Sequence, residues 1–186
     1  MAVDRGLEAG ALQKPTELAY LLDAYAGVAS GLGVLEVGCD TGGTLLALAE
    51  RVRGAQCVGV TLHGAAFSTR RPMVEMPASV TIIEGDSRRP ATYALALEVH
   101  PRPFDLVFID ADHSYDGVRS DFNVWAQRAR RGGLVAFHDI CPHDPTTGCE
   151  VERFWHEVSE RWSGPVESFA DEPFTWGGVG LLGVPA

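Results

Sequence analysis

Residues 104–113 read Phe104-Asp-Leu-Val-Phe-Ile-Asp-Ala-Asp-His113. The apolar run from Leu106 to Ile109 ends abruptly in ionisable side chains at Asp110, Asp112 and His113. A short apolar run of this kind is the pattern of a strand buried on both faces of a parallel sheet. In open α/β sheets the ligand sits just beyond the carboxyl ends of such strands. Further along, Gly132-Gly-Leu-Val-Ala-Phe-His-Asp139 repeats the pattern and ends in His138 and Asp139. Two neighbouring strand ends would then aim carboxylates and imidazoles at one crevice. Such a set suits a catalytic site holding a divalent cation.

Working outward, strand-like and helix-like segments alternate, which predicts a parallel α/β sheet. A first helix is expected from Pro15, with Glu17 in its first turn and Leu18, Leu21, Leu22, Tyr25 and Val28 recurring at helical spacing. Strands are expected at Gly33–Val37, Cys57–Thr61, Val80–Glu84, Phe104–Ile109, Leu134–Phe137 and Val166–Phe169, with a closing strand in Gly177–Val184. Helices are expected over 43–53 and 89–99, then one with Val118, Phe122, Trp125 and Ala129 on a single face. A last helix carries Val151, Phe154, Trp155, Val158 and Trp162 on its stripe. The segment 62–77, with Pro72, Pro77, Arg70 and Arg71, reads as loop. Too few residues separate the last two strands for a crossover helix, so they should pair antiparallel. The expected fold is a single-domain, doubly wound, Rossmann-like sheet of seven strands, mostly parallel with an antiparallel last strand. It should span residues 1–186, with 1–30 as a helical segment packed near the site.

The chain has 186 residues, 46% of them hydrophobic and 22% charged, as in an ordinary globular domain. A net charge of −10 argues against nucleic-acid binding by counterion release. No apolar run approaches the roughly 18–20 residues of a membrane span, and Met1-Ala-Val-Asp-Arg-Gly lacks the pattern of a secretory signal. Cys39, Cys57, Cys141 and Cys149 form no CxxC pair and read as reduced thiols, which predicts a cytoplasmic location. The spacing of Cys141, His143 and Cys149 fits no standard zinc module. His100, His143 and His156 are expected to face solvent, and Trp125, Trp155 and Trp162 to lie in the core.

Val34-Leu-Glu-Val-Gly-Cys-Asp-Thr-Gly-Gly43 is a strand, a glycine turn and a helix start. Glycines here let the backbone approach a ligand, and Glu36 can accept from a cationic amine or a ribose. The dinucleotide fingerprint fails, because Asp40 stands at its second glycine position, and no Gly-Lys-Ser/Thr follows. Glu84-Gly-Asp-Ser87 follows the third strand and reads either as an adenine-binding turn or as a plain helix N-cap. Asp110 has a plain reading too, as a cap for the next helix, though Asp112 or Ser114 would serve as well.

Together these blocks resemble the class I S-adenosylmethionine-dependent methyltransferases. The closest likeness is to the branch with cephalosporin hydroxylase-like and macrocin-type sugar O-methyltransferases. The resemblance runs from Gln13-Lys-Pro through Leu35–Gly43, Glu84–Ser87, Phe108–Gly117 and Gly132–Asp139 to Trp176-Gly-Gly-Val-Gly180. Its most specific parts are Asp112-His-Ser-Tyr115 and Phe137-His-Asp139. The resemblance implies that Glu36, Gly38, Asp40 and Gly42 surround the methionine part of the cofactor, with Thr61 and Leu62 near its ribose. Asp86 and Ser87 match the adenine contacts, and Asp110 borders the cofactor as well. Asp110 and Asp139 match divalent-metal carboxylates for Mg²⁺ or Mn²⁺, and His113 matches the position of the general base.

Two positions depart from the family pattern. Thr61 stands where an acidic residue often grips both ribose hydroxyls, a loss of about 1–2 kcal/mol; His63 is the nearby candidate to compensate. Relatives usually place Glu or Asn beside the second metal Asp, whereas here the flanks are His138 and Ile140, leaving His138 or water as third ligand. The expected activity is O-methylation of a small hydroxylated molecule or sugar. The expected partners are that acceptor and possible further copies of the chain, without nucleic acid or membrane. The reading from another class is a non-catalytic accessory protein that keeps the fold and binds the cofactor.

Overall fold

The computed structural model describes residues 1–62, 75–172 and 175–186. The loop residues His63, Arg70 and Arg71 therefore lie outside the described residues. The described strands are β1 (Val34–Val37), β2 (Cys57–Thr61), β3 (Val80–Glu84), β4 (Phe104–Ile109), β5 (Ala129–His138), β6 (Val166–Phe169) and β7 (Val179–Gly183). They form one sheet in the order β3-β2-β1-β4-β5-β7-β6. Pairings from β3 through β5 are parallel, while β7 runs antiparallel to both β5 and β6. The doubly wound sheet with an antiparallel last strand is thus as the sequence predicts.

Period-two alternation explains the two-sided core. Leu35, Val37, Val107, Ile109, Val135 and Phe137 face one cluster, which α4 (Pro90–Val99), α5 (Tyr115–Trp125) and α6 (Val151–Arg161) cover with Ala96, Val118, Trp125, Phe154 and Trp155. Val34, Leu106, Phe108 and Ala136 face the other, covered by Leu18, Leu21 and Leu22 of α2 (Pro15–Val28) and Leu45 and Leu48 of α3 (Gly43–Arg51). Each of these large side chains contributes about 1.5–3 kcal/mol by leaving water. Glu36 shares the second face with Val34, so it is buried beneath the start of α3.

Three elements differ from expectation. An additional helix, α1 (Ala2–Glu8), precedes α2 and packs on α3. α5 ends at Trp125 and passes through a 3₁₀ turn, so Ala129 opens β5 instead of extending the helix face. There Ala129 pairs with Phe104, and the register shifts before Leu106 pairs with Leu134. Trp162 caps α6 from outside, packing against the core while its Nε1 donates to the Gly183 carbonyl at 2.8 Å.

At the amino end of β4, Asp105 is fully buried and ties the α2–β1 connection to the sheet. It accepts from Ser30 Oγ (2.6 Å), the Ser30, Leu32 and Gly33 amides and Arg130 Nε (2.7 Å).

Candidate active site

Strand order reverses between β1 and β4, and the crevice of a doubly wound sheet opens at that switch point. Gly38 follows β1 with φ +100°, and a Cβ there would collide with the Asp110 carbonyl. Only glycine lets the β1 turn lie against the end of β4. The crevice is a cavity of about 720 Å³ whose wall includes Glu36, Gly38, Asp40, Thr61, Leu62, Asp86, Ser87, Asp110, His113, His138 and Asp139. Gly42 is the one expected cofactor residue outside this wall. It caps α3 in the left-handed region and its α-carbon faces Ile82 and Met76, while Gly43 and Thr44 line the cavity.

Glu36 is 2% exposed and its Oε2 has no hydrogen-bond partner among the described residues. Burial, reinforced by the nearby Asp110 charge, holds its pKa well above the usual carboxylate range. A buried acceptor facing a cavity without a partner is costly unless a ligand donor meets it.

Asp110, His113 and Asp139 present ligand atoms within 4.8 Å of one another. His113 bridges the pair, with Nε2 3.3 Å from Asp110 Oδ1 and Nδ1 3.3 Å from Asp139 Oδ2. His138 Nδ1 enters from below, 3.6 Å from Asp110 Oδ1 and 3.4 Å from Asp139 Oδ2. Asp139 takes φ +61°, a left-handed backbone that Asp tolerates and that turns its carboxylate back toward β4. Asp110 is not needed as a helix cap: Ser114 caps α5 by accepting from the Gly117 amide, and Asp112 accepts from Ser114 in turn.

The outward-facing atoms are tied as well. Gln13 Nε2 donates to Asp110 Oδ2 at 2.7 Å, while Gln13 Oε1 accepts from Thr44. Asp139 Oδ1 meets His143 Nε2 at 3.0 Å and the Gly177 amide at 3.1 Å. His138 Nε2 lies 3.2 Å from Oε2 of Glu17, whose other oxygen accepts from the Gly178 amide at 2.8 Å. Lys14 Nζ, 3.4 Å from Glu17, donates to the Asp171 and Trp176 carbonyls and sits over the Trp176 ring.

The charges follow from this geometry. Burial works against a charged His138, yet Asp110, Asp139 and Glu17 outweigh it and push its pKa up to about 10. Burial likewise opposes ionisation of Asp139 and Glu17, but His138 and their donors hold both below the ordinary carboxylate range. His113 is raised chiefly by its bond to Asp110.

Asp86 borders the cavity, but Arg88 holds its carboxylate through the backbone amide and Nε, both at 3.0 Å. Trp125 Nε1 pins the Ser87 carbonyl at 3.2 Å. Thr61 and Leu62 reach the cavity from β2, with Leu62 exposed and Thr61 buried. Two histidines expected in solvent are inside. His143 supports Asp139, and His100 is 4% exposed and stacked on Phe104. His156 is exposed as expected.

Sequence reasoning missed Gln13, Glu17 and His143 as parts of the site. Glu17 had a readable signal: it lies four residues before Leu21, so it is a charged residue on a buried helix stripe.

A sequence profile described as a methyltransferase domain matches residues 35–140, more than half of the chain. The chain belongs to this methyltransferase-domain family. Uncharacterized protein R132 of Acanthamoeba polyphaga mimivirus is 26% identical over 114 residues, covering 58% of this chain and 51% of that protein. The MycE methyltransferase from the mycinamycin biosynthetic pathway, in complex with Mg and SAH, is a structural neighbour with 15% identity and a TM-score of 0.64. That match covers 99% of this chain and 54% of MycE. The O-methyltransferase TomG from Streptomyces achromogenes, involved in tomaymycin synthesis and solved with SAM, is 19% identical with a TM-score of 0.64. It covers 100% of this chain and 90% of TomG. The chain thus spans about half the length of the mimivirus protein and of MycE, and the likeness to the solved structures is one of fold. No helix among the described residues is long and apolar enough to cross a membrane.

Proposed function

We propose that the chain is an S-adenosylmethionine-dependent O-methyltransferase acting on a small hydroxylated molecule or sugar, with a divalent cation assisting and His113 as general base. The observation that carries this reading is that the unpartnered Oε2 of Glu36 and the Asp110–His113–Asp139 cluster face one cavity.

The residues present fit both groups. When bound, S-adenosylmethionine supplies an electrophilic methyl on a sulfonium. Glu36 Oε2 would accept from its cationic amine, which removes the cost of an unpaired buried acceptor. Gly38 and Asp40 would border the methionine part, Thr61 and Leu62 the ribose, and Ser87 with Asp86 the adenine. Asp110, Asp139 and His138 would hold Mg²⁺ or Mn²⁺, which would fix and acidify acceptor oxygens.

His113, 40% exposed at the open side of the cluster, is placed to take the acceptor's proton. In a balanced transfer the acceptor oxygen gains the methyl, His113 gains the proton, and S-adenosylhomocysteine leaves. Asp110 orients His113 through the 3.3 Å contact.

The test is calorimetry with S-adenosylhomocysteine, followed by methyl transfer assayed against a panel of catechols and sugars with added Mg²⁺. Binding in the micromolar range together with transfer to an oxygen supports the proposal. No heat at millimolar ligand would sink it, and binding without any transfer would favour the accessory-protein reading.

A further inference from the structure

Resting on the cation-assisted reading above, we infer that the cation site is nitrogen-bearing and selects a transition dication over Mg²⁺, with Glu17 as the residue that positions His138 to ligate through Nδ1.

Each of three donors converging on one bay has its other polar atom tied from outside. Asp110 offers Oδ1 because Gln13 holds Oδ2, and Asp139 offers Oδ2 because His143 and the Gly177 amide hold Oδ1. His138 offers Nδ1, whose proton passes to solvent when a cation binds, because Glu17 holds Nε2. The inward atoms lie 3.4–3.6 Å from His138 Nδ1. Histidines that ligate metals almost always donate their second ring N–H to a carboxylate or carbonyl, which fixes both tautomer and ring plane. His138 has that arrangement.

His113 does not. Both of its nitrogens face the same two aspartates, so neither is oriented by an outer partner. It is also 40% exposed, against 5% for His138. The two imidazoles therefore divide their roles: His138 ligates from the buried side and His113 stays available at the open side.

Glu17 is built in for this task. Its carboxylate is fully buried, held by the Gly178 amide and Lys14, and a Cβ at Gly177 would press against Oε2. Gly177 adopts φ +78°, so the turn closes over the carboxylate in a conformation that side chains resist.

The donor chemistry then decides the ion. Mg²⁺ prefers oxygen ligands in a strict octahedron, while imidazole suits later first-row metals, whose affinity rises from Mn²⁺ toward Co²⁺ and beyond. A set of two carboxylate oxygens and one imidazole nitrogen leaves Mg²⁺ the poorer occupant.

The test uses the metal-stripped full chain titrated calorimetrically with MgCl₂, MnCl₂ and CoCl₂ alone, with electron spin-echo spectra of bound Mn²⁺ to detect a coordinated nitrogen. Co²⁺ is expected to bind at least about 100-fold more tightly than Mg²⁺, and the Mn²⁺ echo to carry nitrogen modulation. Glu17→Gln should weaken Co²⁺ by about 10–100-fold and Mg²⁺ much less, and Glu17→Asp should restore part of the difference. His138→Gln should abolish the nitrogen modulation, and retained S-adenosylhomocysteine binding would show that the variant is folded. If His138→Gln does not fold, the shrinking Co²⁺/Mg²⁺ ratio in Glu17→Gln still decides. Equal Mg²⁺ and Co²⁺ affinity, an echo without nitrogen, or modulation that survives His138→Gln each overturns the inference. Failure of every cation to bind would instead overturn the cation-assisted reading on which it rests.

Discussion

Gln13 Nε2 donates to Asp110 Oδ2 at 2.7 Å across 97 positions of sequence, and this bond sets which Asp110 oxygen faces the site. With Oδ2 engaged, Oδ1 turns toward His113 and His138. The segment ahead of α2 is therefore part of the site's frame.

Gln13→Ala should free Asp110 to rotate and lower kcat by about 10-fold, of the order seen when outer partners of ligands are removed. Gln13→Glu should be worse than Ala, because it sets a second carboxylate against Asp110. Steady-state kinetics on the two variants decides this; a Gln13→Glu enzyme as active as wild type would show that the bond has no such role.

Ribose contact is open to a direct gain-of-function test. Thr61 ends β2 at the cavity wall and offers a neutral hydroxyl. Thr61→Asp should tighten S-adenosylhomocysteine by roughly 1–2 kcal/mol, about 5–30-fold, because a charge-assisted acceptor replaces a neutral one. Calorimetry that gave unchanged or weaker binding would remove Thr61 from the ribose contacts.

The strands were legible in the sequence because burial on both faces leaves continuous apolar runs, as in Leu106 to Ile109. Asp110 and Asp139 were legible because the carboxyl ends of those runs are where such sheets bind ligands. α1 was not, since Ala2–Glu8 is short and its stability comes from packing on α3. The support of the site was hidden for a different reason. Glu17, Gln13 and His143 act through contacts across 121, 97 and 4 positions respectively; the helix stripe marks Glu17 as a buried charge, but no local pattern names the partners of the first two. The sequence shows β5 only from Leu134, because the Arg130–Gly133 stretch lacks an apolar run and the pairing of Ala129 with Phe104 is tertiary.

Asp105 should make stability depend on pH. Its bonds to Ser30, Gly33 and Arg130 overcome the penalty of burial and hold its pKa at about 2. A carboxylate with a depressed folded-state pKa contributes stability above its unfolded value near 3.9, and loses it as pH falls toward 2. The contribution at neutral pH is about 2–3 kcal/mol. Asp105→Asn should thus lower stability at pH 7 by about that amount, with the gap to wild type narrowing below about pH 4. Urea melts at both pH values test it, and a gap that did not depend on pH would mean the charge is not what Asp105 contributes.

Cation removal addresses the paired aspartates. EDTA should abolish most transfer activity, and added Mn²⁺ should restore it at a lower concentration than Mg²⁺. Asp139→Asn keeps its bonds to the Gly177 amide and His143 in shape but removes the charge, so most activity should go. Undiminished turnover in chelator would leave Asp110 and Asp139 with positional roles alone.

His113 gives the sharpest test of the chemistry. It lies at the open side of the cluster, 3.3 Å from each aspartate, where an acceptor hydroxyl held by the cation would meet it. Removing a positioned general base typically costs about 10²–10⁴ in rate. His113→Ala should therefore lower kcat by that order and leave S-adenosylhomocysteine affinity nearly unchanged, since the base does not hold the cofactor. Asp110 raises the pKa of His113, so the base is inactivated by protonation as pH falls, and this acid limb of the rate profile should vanish in the variant. His138→Ala is the contrast: deep in the site and bound to Glu17, it should weaken cation affinity and fold stability instead. If His113→Ala keeps near-normal kcat, the proton must leave by another route. Asp112, 40% exposed and 3.5 Å from Arg88, is then the next residue to replace.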